Sequence, residues 1–358
     1  MEKIKLRVGI VGTGAISRRA HLPAYRTISN ISVAGIADTD KDTAIRTAKE
    51  FGIPRICSNV QELLEDDTID MIDVCTPTPT HAQIIEIAAK KGKHILVEKP
   101  LAITLSDCIK IQKLVVENGI KLCVVQNWRY FSAVTEVKER VLNGFIGNTV
   151  SIHGIGLVTF PSNWTLGTWP YHKGGVLYDF APHLIDSILY IKNFSPVKKV
   201  YASGGDFSGG NMDFINYTVM NIEFADGSVA TADTSWLTST APKFTIDIYG
   251  TAGNIFLDVR NNIFYETHGF PTPIDDIKYF IKKTARTGIG VITGNYFKRI
   301  NANLKPIILD FMNAINGSGE IPVPVEHAIS TVAILEAATL SIESKAPVTI
   351  EEIMKQTR

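Results

Sequence analysis

Three side chains offer the most direct chemistry. Lys99 stands in the run Glu98-Lys99-Pro100, just after the apolar stretch His94 to Val97. A lysine partly withdrawn from water loses some of its preference for the charged form and becomes a usable proton acceptor. Pro100 fixes the chain direction beside it. Asp179 and His183 are four residues apart at the start of a predicted helix, so they face the same way. A carboxylate beside an imidazole orients the ring and stabilises its protonated form, which makes the histidine a better acceptor. Taken singly, each has a plainer reading: a surface lysine after a strand, an aspartate capping a helix, a histidine packed on that helix.

A second set of residues suits a dinucleotide. Val8 to Ser17 reads VGIVGTGAIS. An apolar strand runs into Gly12-Thr13-Gly14, and Ala15-Ile16 opens a helix. Gly12 permits the tight turn, and Gly14 lets a pyrophosphate approach the backbone. The helix start supplies free N–H groups and a positive dipole end. Ser17 takes the third fingerprint position, normally Gly or Ala. The next apolar run ends at Asp38, where a carboxylate meets ribose hydroxyls and repels a 2′-phosphate. NAD is therefore expected in preference to NADP. Asp38 as a helix N-cap is the plainer alternative, and the two roles can coexist.

These groups need a frame. The first third alternates apolar runs (4–11, 31–37, 69–75, 94–97, 120–125) with helical patterns (42–51, 81–91, 105–118). Strands apolar on both faces, alternating with helices, imply a doubly wound parallel sheet of Rossmann type. Lys99 then lies at the carboxyl edge, where such sheets bind ligands. Beyond residue 150 the rhythm changes. One helix, 180–191, precedes strands at 197–203, 214–224, 228–237, 243–249 and 254–259. Asp226-Gly227 and Ala252-Gly253 read as turns between them. This is an α/β arrangement with an open, largely antiparallel sheet. Helices at 307–316 and 326–344 close the chain. The expected division is 1–127 for the dinucleotide domain and 128–358 for a substrate-binding and oligomerisation domain, with terminal helices packing back on the first.

The 358 residues suit two domains. Lys and Arg total 36, as do Asp and Glu, so no general field favours nucleic acid or anionic lipid. The N-terminus lacks a signal-peptide pattern, and no apolar run is expected to span a bilayer. Cys57, Cys75, Cys108 and Cys123 show no metal spacing, and no metal is expected. Four structural thiols fit a reducing, cytoplasmic compartment. The stretch 271–305 carries Lys278, Lys282, Lys283, Arg286, Lys298, Arg299 and Lys305. It reads as a solvated insertion, or alternatively as a contact for phosphate groups or a membrane surface.

The motifs converge on a family. The chain resembles the glucose–fructose oxidoreductase / inositol dehydrogenase / rhizopine-catabolism (Gfo/Idh/MocA) family over nearly its full length. Gly12-Thr13-Gly14-Ala15-Ile16 with His21-Leu22-Pro23, Cys75-Thr76-Pro77-Thr78 through His81, Gly92 through Pro100, and Gly174 through Asp186 carry the resemblance. Tyr249 through Gly253 looks like the family's late hairpin. The resemblance implies an N-terminal Rossmann domain and a C-terminal α/β domain whose open sheet mediates homodimers or homotetramers. It implies that Lys99 touches both reacting oxygen and cofactor. His183 would transfer the proton, with Asp179 as its partner or a substrate ligand.

Around this centre, Glu98 is expected to meet the cofactor or buttress Lys99. Thr76, Pro77 and His81 are expected on the nicotinamide side. Arg129, in Asn127-Trp128-Arg129-Tyr130, either clamps a polar substrate or ties the domains. Trp128, Trp164, Trp169 and Tyr171 are candidates for stacking on a sugar, or else for core packing. The leading expectation is an NAD(P)-dependent oxidoreductase moving a hydride to or from a secondary alcohol or ketone of a sugar, cyclitol or nucleotide-linked sugar. An NAD-dependent glycosidase working by transient oxidation is the alternative within the family, and a non-catalytic sugar-sensing regulator the alternative outside enzymology.

Overall fold

The computed structural model describes residues 5–160, 174–210, 212, 214–237, 242–268, 272–274, 277–278, 280–281, 284–285 and 304–356. Two compact units divide the chain: residues 1–127 with 301–329, and residues 128–300 with 330–358.

The first unit is built on a six-stranded sheet in the order β3-β2-β1-β4-β5-β6, all pairs parallel. The strands are β1 Leu6–Val11, β2 Ile31–Ala37, β3 Ile56–Cys57, β4 Met71–Val74, β5 His94–Glu98 and β6 Leu122–Val125. β4 and β6 are buried at every position. Both faces are therefore covered, as the continuous apolar runs predict. The order reverses between β1 and β4, which is where an open α/β sheet leaves a crevice at its carboxyl edge. Helix Lys41–Phe51 is capped by Asp40, whose side chain accepts from the Thr43 N–H, and ends on Gly52 in the left-handed region. The helix after Gly14 is not a regular α-helix. Ser17–His21 forms a wide π turn before Leu22–Tyr25, where Pro23 has no N–H to donate. In the same unit, helix Leu304–Ile315 packs against β6.

The second unit is built on an eight-stranded sheet in the order β13-β12-β11-β7-β10-β9-β8-β14. Its strands are β7 Thr149–Leu157, β8 Val197–Gly205, β9 Tyr217–Phe224, β10 Val229–Ser235, β11 Lys243–Gly250, β12 Asn254–Asp258, β13 Ile263–Thr267 and β14 Val348–Thr349. Neighbours run antiparallel except β7 and β10, which are parallel. β7 was not expected. Along it, burial alternates and the inward positions are Ile152, Gly154 and Gly156. Helix Ala181–Ile191 packs on that inner face. A methyl group on Gly154 would sit 2.9 Å from Leu184 Cδ1, and one on Gly156 would collide with the Phe180 ring. The helix is seated on bare backbone.

One helix, Val325–Ser344, is long and apolar enough to cross a bilayer by length and composition, contrary to expectation. Its most apolar 18-residue window has a mean hydropathy of 1.3, and 56% of that window is buried within the protein. That burial is the behaviour of a core helix. All four cysteines are buried and free.

Candidate active site

In the first unit, the carboxyl edge of the sheet collects most of the expected residues. Gly12 leaves β1 at φ +93°, and a Cβ there would meet the Cys75 carbonyl oxygen at 2.7 Å. Only glycine passes this turn without strain. A Cβ on Gly14 would meet nothing within 4 Å, and Gly14, Ala15 and Ile16 are exposed. Protein packing does not require Gly14. The open cradle above it is the space a pyrophosphate needs, so these residues fit a dinucleotide. Asp38, half-buried at the end of β2, accepts from the Thr13 N–H and hydroxyl, both at 2.6 Å, and from the Asp40 N–H at 2.9 Å. The helix cap falls to Asp40 rather than Asp38. Asp38 is instead tied rigidly to the glycine turn.

Lys99 follows β5 and is half-buried. Its N–H donates to Glu98 Oε2 at 3.2 Å. Glu98 is 9% exposed, and its Oε1 lies 2.8 Å from His21 Nε2. Glu98 therefore buttresses Lys99. Burial pushes the Glu98 carboxyl up, but the His21 hydrogen bond and charge, with Lys99, hold it below the usual carboxylate value. His21 is fully buried, and its Nδ1 lies 2.7 Å from Asp73 Oδ2. Tyr25 donates to the same Asp73 oxygen at 2.8 Å. The sequence reading missed Asp73. Its signal was available: a carboxylate within a strand apolar on both sides must find buried partners.

His81 corrects an expectation. Its ring is fully buried, with Nε2 2.9 Å from the Thr76 carbonyl oxygen and Nδ1 3.1 Å from that of Pro100. Burial holds its pKa below the ordinary imidazole value. It shapes the loops after β4 and β5 from beneath and presents no surface to a cofactor. Thr76 and Pro77 stay accessible on the first of those loops.

In the second unit, Asp179 ends the short helix Val176–Asp179, and His183 lies in the first turn of helix Ala181–Ile191. Both are half-buried. The N-terminal boundary of the second helix is Phe180, with no side-chain cap, so Asp179 is not an N-cap. Trp128 is 6% exposed and lies flat against His183, centroids 5.0 Å apart and planes 8° from parallel. Phe180 and Phe244 meet the same indole edge-on. Trp128 is thus the bed of His183 rather than a shelf for sugar.

Arg129 is 4% exposed and grips Asp186 with Nε and one terminal nitrogen at 2.8 and 2.6 Å. Its guanidinium lies over Tyr190 and Phe194. Its ion pair with Asp186 lies inside its own unit. Trp164, Trp169 and Tyr171 lie outside the described residues, as do Lys282, Lys283, Arg286, Lys298 and Arg299.

A Rossmann sheet with this glycine turn and acidic strand end defines a nicotinamide-dinucleotide protein. The chain belongs to the Gfo/Idh/MocA oxidoreductase family: residues 6–126 match its NAD-binding Rossmann fold and residues 138–350 its C-terminal alpha/beta domain. It is an NAD-dependent oxidoreductase, as the motifs implied. An uncharacterized oxidoreductase, YrbE, of Bacillus subtilis (strain 168) is 27% identical over 350 residues, 97% of each chain. The myo-inositol 2-dehydrogenase of Thermotoga maritima is 25% identical over 354 residues, 98% of this chain and 100% of its own. The solved WlbA dehydrogenase from Bordetella pertussis, in complex with NADH and UDP-GlcNAcA, superposes with a TM-score of 0.82 at 21% identity, covering 98% of this chain and 99% of that one.

Proposed function

We propose that the protein interconverts a secondary alcohol and a ketone on a sugar, cyclitol or nucleotide-linked sugar. NAD supplies the hydride acceptor when bound. The observation that carries this reading is Lys99 at the carboxyl end of β5, with its backbone N–H held by Glu98. A base in reach of the hydroxyl is what alcohol oxidation needs from the protein. We assign Lys99 to orient the hydroxyl and His183, with Asp179, to carry its proton. Gly12, Gly14, Ala15, Ile16, Asp38, Thr76 and Pro77 hold the dinucleotide. The substrate class draws support from relatives that act on inositol or bind a nucleotide sugar.

The second unit serves as substrate-binding and oligomerising domain. A cluster of half-buried rings on β11, β12 and β13 supports homodimers or homotetramers. Tyr249 meets Phe256 at 5.7 Å, and Phe256 stacks on Tyr265 at 4.6 Å. The four free thiols support a cytoplasmic location.

A panel of sugars, cyclitols and nucleotide sugars, read by nicotinamide absorbance with NAD and NADP, tests the reaction. We expect turnover with at least one member and faster turnover with NAD. Silence across the panel in both directions, with NADH still bound, rejects the substrate class.

A further inference from the structure

The cluster beneath Lys99 contains more than a buttress. We propose that His21 is a positioning residue: by bridging Asp73 and Glu98 it fixes the carboxylate that holds the Lys99 backbone, and so sets the geometry of Lys99. This rests on reading Lys99 as the residue that orients the reacting hydroxyl.

Both nitrogens of the His21 ring face carboxylate oxygens, at 2.7 and 2.8 Å. A neutral imidazole has one N–H, so one of these contacts would set a lone pair against a charged carboxylate, whereas the His81 ring meets only uncharged carbonyl oxygens. An imidazolium donates to both. The ring is accordingly protonated well above the ordinary histidine range: burial opposes this, and Asp73 overrides it. The groups facing the ring are Asp73 and Cys75 from the β4 side and Glu98 from the β5 side, while Tyr25 faces Asp73 and Lys99 faces Glu98. Cys75 is pushed up to about 12, burial being the largest cause. It therefore remains a neutral thiol. His21, Asp73 and Cys75 bring one nitrogen, one oxygen and one sulfur within 4.8 Å of one another. With both ring nitrogens already engaged, that trio stores a proton rather than gripping a cation.

A fold needing only a packed core would be served better by apolar residues here, because a buried ion pair gains little over them. This network instead runs in one direction. It begins at Asp73, 0% exposed inside β4, passes through His21 to Glu98, and ends on the N–H of Lys99. His21 closes the π turn that follows the glycine turn. One ring therefore joins the helix after the glycine turn to the lysine loop.

The test uses the full chain labelled with 15N-histidine and 15N-lysine. His21→Gln assigns the His21 ring signal by its loss. We expect both ring nitrogens of His21 to read as protonated at pH 7, above the ordinary 6.5. We expect Glu98→Gln to bring that titration to lower pH. In His21→Gln the Lys99 amide signal should move, and turnover of the best panel substrate should fall about tenfold to a hundredfold. Its alkaline limb should shift, and NADH affinity, read by fluorescence, should stay within about threefold. A neutral His21 ring at pH 7, or a Lys99 amide unmoved in both variants, overturns the bridge. Wild-type turnover and pH profile in His21→Gln overturn its role. If Lys99→Ala leaves turnover intact, the reading of Lys99 fails while the ring spectrum still reports the bridge.

Discussion

Trp128 and His183 form a parallel ring stack within the second unit, and the stack is itself boxed by Phe180 and Phe244. An imidazole held this way has lost most of its freedom to rotate. Its protonated form also gains from the indole face. Trp128→Phe should leave a folded protein whose turnover falls about fivefold, the scale of an aromatic pair worth about 1 kcal/mol. Trp128→Ala should cost about 3–5 kcal/mol of stability. Thermal melts beside steady-state rates check both. Unchanged rates in Trp128→Phe would show that His183 does not depend on its bed.

Lys99→Ala should lower turnover by about a hundredfold or more, the usual scale of a proton-handling group. NADH affinity, measured by fluorescence, should change far less. His183→Asn should give a comparable loss.

Asp38→Ala should erode the preference for NAD over NADP. The carboxylate is fixed by three donors, so its repulsion of a 2′-phosphate is aimed and not averaged over rotamers. The ratio of kcat/KM values for the two cofactors reports this directly. Retained discrimination would remove Asp38 from the site.

Arg129→Ala should destabilise the protein by about 3–5 kcal/mol, because it strands the buried Asp186 carboxylate. KM for substrate in the surviving folded fraction should hold. A large rise in KM with stability intact would favour the substrate-clamp reading.

The buried cluster also predicts a pH signature in stability. His21 keeps its proton to higher pH when folded than its ordinary 6.5, so its contribution is complete below that value. The contribution drains away as pH rises through the folded value. Glu98, held below 4.5, contributes fully above that value and loses its share on acidification. His81 works against His21, since its buried neutral ring weakens the fold as pH falls below 6.5. The comparison must therefore be a difference. The gap in Tm between wild type and His21→Gln should be widest near the ordinary 6.5 and narrow as pH rises above it. A gap that widens with pH would reverse the assignment of the proton.

The Rossmann half was legible because β1, β2, β4, β5 and β6 are apolar runs bounded by glycine turns and helical periods. β3 has two residues, too few for any pattern. β7 escaped for a different reason. Two of its inward positions are glycines, so the strand buries backbone where a side-chain period would have announced it. Glu98 and Lys99 were legible as a motif. Asp73 was legible only as a buried carboxylate in need of partners, because the partners themselves come from positions 21 and 25. Arg129 and Trp128 stayed open in the sequence because their types suit a ligand as well as they suit a core.

The glycines of β7 set a ruler for the site above them. The helix bearing His183 settles to a depth fixed by two absent methyl groups, and Phe180 is the part that touches bottom. Adding one carbon at position 156 inserts a shim under that helix. Its side chains would all rise together while their identities stayed the same. The position of the imidazole can therefore be retuned from the floor of the sheet, with every residue of the site left in place.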